Sequence, residues 1–332
     1  MTLLITGGAG YIGGHMLIDL VENCEDFIVV DNMSNGVTWA IPEGVKLYIA
    51  DTGDYQEMRR IIYEHKVDTV IHFAATLIMP ELYQRPLEYY RINSANGRAL
   101  LQACADGGVN KFIYSATSAV YGNPASNPVS ETALIAPTTP YGKSKLVTEL
   151  MLQDLANVSD MRFVALRYFN VAGADPLARY GQSTDKTTLL VQIAVQCALG
   201  IRNGLSIFGT DYPTPDGTCI RDYLHVTDLV DAHVKALQHL RSGGDSLTLN
   251  VGYGHGYSVR DIIDTVRDVT GRDFNVTEGA RRLGDPTAVV AEAKLIREKL
   301  GWAPQLDNIR LIVEHALNWE LKMEARRKLY MY

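Results

Sequence analysis

The chain has 332 residues, with 31 Lys and Arg against 38 Asp and Glu and a formal net charge of −7. Hydrophobic residues make up 47% and charged residues 21%, the composition of a globular protein with a sizeable core, which excludes a fibre or a long disordered chain. The mild acidity, with no basic block, argues against a nucleic-acid partner, and no apolar run reaches the roughly 20 residues that span a bilayer.

In chain order, strands are predicted over residues 2–6, 27–31, 46–50, 69–73, 111–115 and 162–168. Helical patterns fill the gaps at 12–23, 55–65 and 86–107, and another follows at 140–157. Buried β-branched runs separated by helices predict an α/β fold, a doubly wound parallel sheet. After about Asn170 the rhythm breaks into a polar Gly- and Asp-rich loop over 172–187. Beyond it come a helix near 189–200, a strand at 205–208, a helix at 227–240, a strand at 246–251 and helices at 258–270 and 308–328. Residues 1–170 are therefore expected to form one domain. Residues 171–332 are expected to form mainly a smaller α/β lobe, interwoven with the first and sharing a cleft with it.

Cys24, Cys104, Cys197 and Cys219 show no paired spacing, so they read as core thiols of a reducing compartment. The histidines form no ligand cluster, and no metal is expected. A glycine motif lies where a signal peptide would, so a mature N-terminus and a cytoplasmic protein are expected.

That motif, Gly7-Gly8-Ala9-Gly10-Tyr11-Ile12-Gly13, joins the first strand to the first helix. Gly7, Gly10 and Gly13 stand where a tight turn, close approach to a pyrophosphate and helix–strand packing leave no room for a Cβ. The helix N-terminus offers free N–H groups to phosphates. Asp31 ends the second strand, where a carboxylate meets ribose hydroxyls and repels a 2′-phosphate, which favours NAD over NADP.

Tyr141 and Lys145 lie four residues apart on one helix face, whereas Lys143 points away. A neighbouring ammonium and a positive nicotinamide both favour the phenolate, so Tyr141 is expected to accept a proton near neutral pH. The fifth strand ends in Ser115-Ala116-Thr117-Ser118, which places a hydroxyl where ligands of such sheets bind.

With these motifs the chain resembles the extended short-chain dehydrogenase/reductase superfamily and, within it, the UDP-glucose 4-epimerase family. The resemblance runs over nearly the whole length. It includes residues 68–75 (DTVIHFAA), 86–90 (PLEYY), 166–170 (LRYFN), 207–214 (IFGTDYPT), 216–223 (DGTCIRDY), 281–285 (RRLGD) and 300–302 (LGW). It implies a Rossmann-like first domain that binds NAD and a second lobe that binds a UDP-hexose. By position, Gly7, Gly10, Tyr11, Ile12 and Gly13 follow the pyrophosphate, and Asp31, Asn32, Ser34, Asn35 and Gly36 surround the adenosine ribose. Asp51 and Thr52 match adenine contacts. Phe73, Ala74, Ala75 and Tyr168 line the rest of the cofactor. Tyr141 matches the acid/base, Lys145 the ribose-binding lysine and Thr117 the catalytic hydroxyl. Asn170, Thr188, Leu189, Ser206, Ile207, Phe208, Arg221, Arg282, Asp285 and Val289 match positions that hold the nucleotide sugar. Planar guanidinium groups at Arg221 and Arg282 suit a diphosphate.

Four positions depart from common forms of the family. Thr117 replaces a frequent serine, Leu77 stands where some members have a lysine, and Thr188 where an amide or imidazole is common. Val289 falls at the position that gates the sugar's 2-substituent, so N-acetylhexosamines are also admitted as substrates. The implied reaction is reversible inversion at C4 through a 4-keto sugar, in a homodimer paired through residues 86–107 and 140–157. A nucleotide-sugar 4,6-dehydratase or UDP-glucuronate-processing enzyme is the alternative, although the acidic pair of the dehydratases is lacking after Thr117. A non-catalytic NAD-sensing regulator is the alternative of another class, although such proteins lose the tyrosine or lysine retained here.

Overall fold

Leu3, Leu4 and Ile5 are all fully buried, as befits a strand covered on both faces. The computed structural model describes residues 2–76, 84–184 and 187–329; Leu77 lies outside them. The first half runs β1 (Thr2–Thr6), α1 (Tyr11–Glu22), β2 (Phe27–Asp31), β3 (Leu47–Ile49), α2 (Tyr55–His65), β4 (Val67–His72), α3 (Pro86–Tyr89), α4 (Asn96–Asp106), β5 (Lys111–Thr117), α5 (Pro140–Val158) and β6 (Arg162–Tyr168). Then follow β7 (Asn170–Ala172), α6 (Leu190–Ala198), β8 (Leu205–Phe208), β9 (Ile220–Arg221), β10 (Tyr223–His225), α7 (Val226–Arg241) and β11 (Leu247–Val251). The chain closes with β12 (Tyr257–Ser258), α8 (Val259–Thr270), β13 (Val276–Gly279), β14 (Ala288–Val289), α9 (Lys294–Leu300) and α10 (Ile309–Leu329).

Seven strands form one sheet in the order β11-β6-β5-β4-β1-β2-β3, every pair parallel. Alternate side chains feed two cores, as a period of two requires. Leu3, Ile5, Val29, Ile71 and Ile113 pack with α1, α7 and the lobe, whereas Leu4, Ile28, Val30, Val70 and Phe112 pack under α2, α4 and α5. The doubly wound parallel sheet expected from the sequence is present. Around it lie three smaller sheets, β10-β7, β12-β9-β14 and β13-β8.

Two local features differ from the sequence reading and both shape the site. β5 continues two residues further, to Thr117, before a 3₁₀ turn over Ser118–Tyr121. The helix predicted over 86–107 is interrupted by a π-helical segment, Tyr90–Ala95. Tertiary bonds accompany that wider turn. The Asn93 amide donates to the Ser144 hydroxyl (3.0 Å) and accepts from the Thr76 N–H (2.9 Å), and the Ser94 hydroxyl donates to the Ser144 carbonyl (2.9 Å). These bonds tie the loop after β4 to α5. Pro140 at the first position and the Thr139 hydroxyl, accepting from the Gly142 N–H at 3.1 Å, set where α5 begins.

Candidate active site

The glycine loop opens the site. Gly7 turns left-handed (φ +72°), and a Cβ there would strike the backbone of Ala74. A Cβ on Gly13 would collide with the Gly7 carbonyl, so this glycine lets α1 sit against the turn. At Gly10, a Cβ would meet only the Gly7 carbonyl oxygen, at 3.3 Å, and no side chain caps the helix that starts beyond it. The three glycines thus divide as the motif predicts: a turn, an open approach and a packing contact. The uncapped N–H groups fit a pyrophosphate.

Asp31 is buried, and its two oxygens accept from the Ala9 N–H (2.9 Å) and the Met33 N–H (2.8 Å). The carboxylate therefore shapes the turn as well as facing it, and each oxygen keeps a second lone pair for a ribose hydroxyl. Asn32 accepts from the Ser34 N–H at 3.0 Å, and Gly36 packs against Ala9 and Asp31. Asp51 accepts from Gly53 N–H and Asn96 beside a buried Thr52. Phe73, half-buried, leans on the His233 ring 4.8 Å away, and the Tyr11 hydroxyl donates to the Gly173 carbonyl at 2.7 Å. Ile12 is half-buried and Ala75 exposed.

The strand ends and α5 bring the hydroxyls together. Thr117 and Tyr168 are register partners on β5 and β6. The Thr117 hydroxyl lies close enough to the Tyr141 phenol to favour its ionised form, and Ser115 donates to the Tyr168 hydroxyl at 3.0 Å. Lys145 is 2% exposed, its Nζ 4.5 Å from the centre of the Tyr114 ring. Lys143 is exposed, as the helix periodicity requires.

The electrostatics of these groups differ from the sequence expectation. Burial pushes the Tyr141 phenol well above its ordinary range, and the neighbouring Thr117 hydroxyl opposes this only in part. Burial also lowers the Lys145 ammonium to about 7, with Glu149 pulling the other way. In the protein by itself desolvation is the largest influence on both groups, and neither is held in its charged form by the other.

Glu149 belongs to a network that the motifs did not single out. Arg167 grips both Glu149 oxygens and donates to Tyr121 (3.0 Å), whose hydroxyl donates to Asn250 (2.7 Å). An arginine inside an otherwise apolar strand run, and a glutamate four residues after Lys145, were the available signals.

The lobe residues form a second group. The Arg221 guanidinium donates to Asp285 at 3.0 Å, and Val289 on β14 is the register partner of Arg221 on β9. Arg282 stacks 3.8 Å from the centre of the exposed Phe208 ring. Ile207 instead turns into the core and Ser206 bonds Thr277 (2.8 Å), because β8 alternates faces. Val289 is buried among Tyr121, Val129 and Phe169. Asn170 is exposed at the start of β7, and its N–H donates to the Asp222 carbonyl. Thr188 and Leu189 sit half-buried before α6. The Thr138 hydroxyl, donating to the Gly284 carbonyl at 3.1 Å, ties the start of α5 to the loop that carries Arg282 and Asp285.

The sequence matches the profile of the NAD dependent epimerase/dehydratase family over residues 3–252. It is 50% identical over 322 residues to a UDP-glucose 4-epimerase of Azospirillum brasilense, an alignment covering 97% of this chain and 92% of that protein. The fold superimposes with a TM-score of 0.91 on the UDP-glucose 4-epimerase of Brucella ovis in complex with NAD, at 39% identity over 96% of this chain and 97% of that one. It superimposes with a TM-score of 0.83 on the UDP-Glc/GlcNAc 4-epimerase of Campylobacter jejuni, at 41% identity over 97% and 99% of the two chains. The chain belongs to the NAD dependent epimerase/dehydratase family, among its UDP-glucose 4-epimerases.

Proposed function

We propose that this protein interconverts UDP-glucose and UDP-galactose by reversible inversion at C4 through a 4-keto sugar. The observation that carries the reading is the meeting of the Thr117 hydroxyl at the end of β5 with the buried Tyr141 phenol at the start of α5, with Lys145 buried one helical turn on. The open Gly10 cradle, the uncapped start of α1 and the Asp31 carboxylate fit NAD. When bound, NAD supplies the acceptor and donor for the hydrogen at C4 and a positive ring that lowers the pKa of the phenol. Tyr141 removes the proton of the 4-hydroxyl, directly or through Thr117, and returns it after the sugar has turned. Lys145 holds the nicotinamide ribose. Arg221 and Arg282 hold the diphosphate while the hexose stays free to rotate, and Asn170, Thr188, Leu189, Ser206 and Phe208 complete the nucleotide-sugar pocket. Val289 is far smaller than an aromatic ring at this position, and on that ground the reading extends to acetylated hexosamines.

The domains divide this work, with residues 1–170 for the dinucleotide and 171–332 mainly for the nucleotide sugar. We further read the protein as a cytoplasmic homodimer. No helix among the described residues is long and apolar enough to cross a membrane. Purified protein given UDP-galactose is expected to form UDP-glucose without added NAD. Tyr141→Phe should lower kcat by about 10²–10⁴, the usual contribution of a positioned acid/base. A variant that matched the wild-type turnover would remove Tyr141 from that role.

A further inference from the structure

Gly14, the fourth residue of α1, has no part in the turn, the open approach or the helix packing that account for Gly7, Gly10 and Gly13. A glycine inside a helix is less favourable than alanine by about 1 kcal/mol, so it calls for a packing reason. The reason is Tyr180, whose ring a Cβ on Gly14 would strike. Tyr180 lies in the loop after β7 and is 4% exposed. It uses the space at Gly14 to bring its hydroxyl to the Ala9 and Gly10 carbonyls, at 3.2 and 3.1 Å.

The ring is held on every side. Its centre lies 5.1 Å from that of His15, 5.5 Å from Trp39 and 6.0 Å from Trp319. The loop is closed by the Asp175 N–H, which donates to the Tyr180 carbonyl at 2.9 Å. Arg179 pairs both with Asp175 and with Glu22, at the far end of α1. Burial and the nearby Asp31 push the Tyr180 pKa up, so the phenol stays protonated and serves as a donor.

In a planar trans peptide the N–H points opposite to the C=O, so a bond that fixes one fixes the other. Gripping the Gly10 carbonyl therefore aims the Tyr11 N–H away from Tyr180, and that N–H is one of the uncapped donors at the start of α1. Gripping the Ala9 carbonyl likewise holds the Gly10 N–H on the Gly7 carbonyl (3.2 Å), which keeps the glycine turn closed.

We infer that Tyr180 is a positioning residue for NAD: from the loop after β7, its hydroxyl sets the direction of the backbone N–H groups that receive the pyrophosphate. The inference rests on the NAD site described above and adds to it a residue from the half of the chain that serves the nucleotide sugar.

Tyr180→Phe removes only the hydroxyl. Both carbonyls keep another donor, the Val37 N–H (3.2 Å) for Ala9 and the Gly14 N–H (2.8 Å) for Gly10, and the ring keeps its packing, so the variant should fold. Titration of protein stripped of nucleotide should show NAD affinity reduced about three- to tenfold, with UDP affinity unchanged. Gly14→Ala displaces the ring instead of removing its hydroxyl, and should lower NAD affinity at least as much, again without effect on UDP. Wild-type NAD affinity in Tyr180→Phe would overturn the proposal, as would an equal fall for UDP, the mark of a general loss of structure. If Tyr180→Phe does not fold, Gly14→Ala decides by the same two titrations. Wild-type protein that binds no NAD would instead overturn the site on which the proposal rests.

Discussion

Lys145 is buried over the Tyr114 ring, and the Tyr114 hydroxyl donates to the Lys145 carbonyl at 3.0 Å. Its folded pKa of about 7 lies below the ordinary 10.5. Between those values the unfolded chain binds more protons, so this group makes stability rise with pH across the window, and its cost is full below about pH 7. That cost is bounded above by about 5 kcal/mol. Lys145→Met should therefore raise Tm at about pH 6, lose that advantage toward pH 10, and abolish epimerisation. Thermal melts across the range check it, and a variant less stable than wild type at pH 6 would count against the assignment. At Val289 the expected outcome concerns specificity. Wild-type protein should epimerise UDP-N-acetylglucosamine, and Val289→Tyr should cut that rate at least about tenfold while sparing UDP-glucose, since the added ring fills the space of an acetyl group. Parallel rate measurements on the two sugars decide the point.

Among the elements, the β1–α1 junction carries the tightest constraint. Because the space at Gly13 is closed by the Gly7 carbonyl, Gly13→Ala must push α1 off the turn. Overpacking of this kind costs about 1–3 kcal/mol, so NAD affinity should fall roughly tenfold or more, measurable by titration of the protein stripped of nucleotide. This junction was legible in the residues because three glycines have three separate steric reasons. The π-helical segment was not legible. Tyr90–Ala95 reads as ordinary helix by periodicity, and its wider turn goes with Asn93 and Ser94 bonding to Ser144, some 50 residues away. The Arg167–Glu149 pair shows the same limit, since the two residues meet only when β6 lies under α5.

For the whole molecule, the exposed apolar side chains of α3 and α5 bear on assembly. Leu87 is 80% exposed, and Val147 and Leu150, three residues apart on α5, are 37% and 48% exposed. A homodimer paired through these helices would cover them, so Leu150→Glu should shift sedimentation toward the monomer with little change in the fold. If the wild type already sediments as a monomer, the homodimer reading fails.

The sequence by itself determined the parallel sheet, the glycine turn, the dinucleotide chemistry and the spacing of Tyr141 and Lys145. Each rests on periodicity or on steric demands within one short segment. The tertiary structure decided the rest. It set β11 beside β6, joined Arg221 to Asp285 across 64 residues and turned Ile207 inward. It also buried Tyr141 and Lys145 deeply enough for desolvation to be the largest influence on both. Solvent exclusion is the physical reason, because it depends on every element packed around a group and no local pattern encodes it.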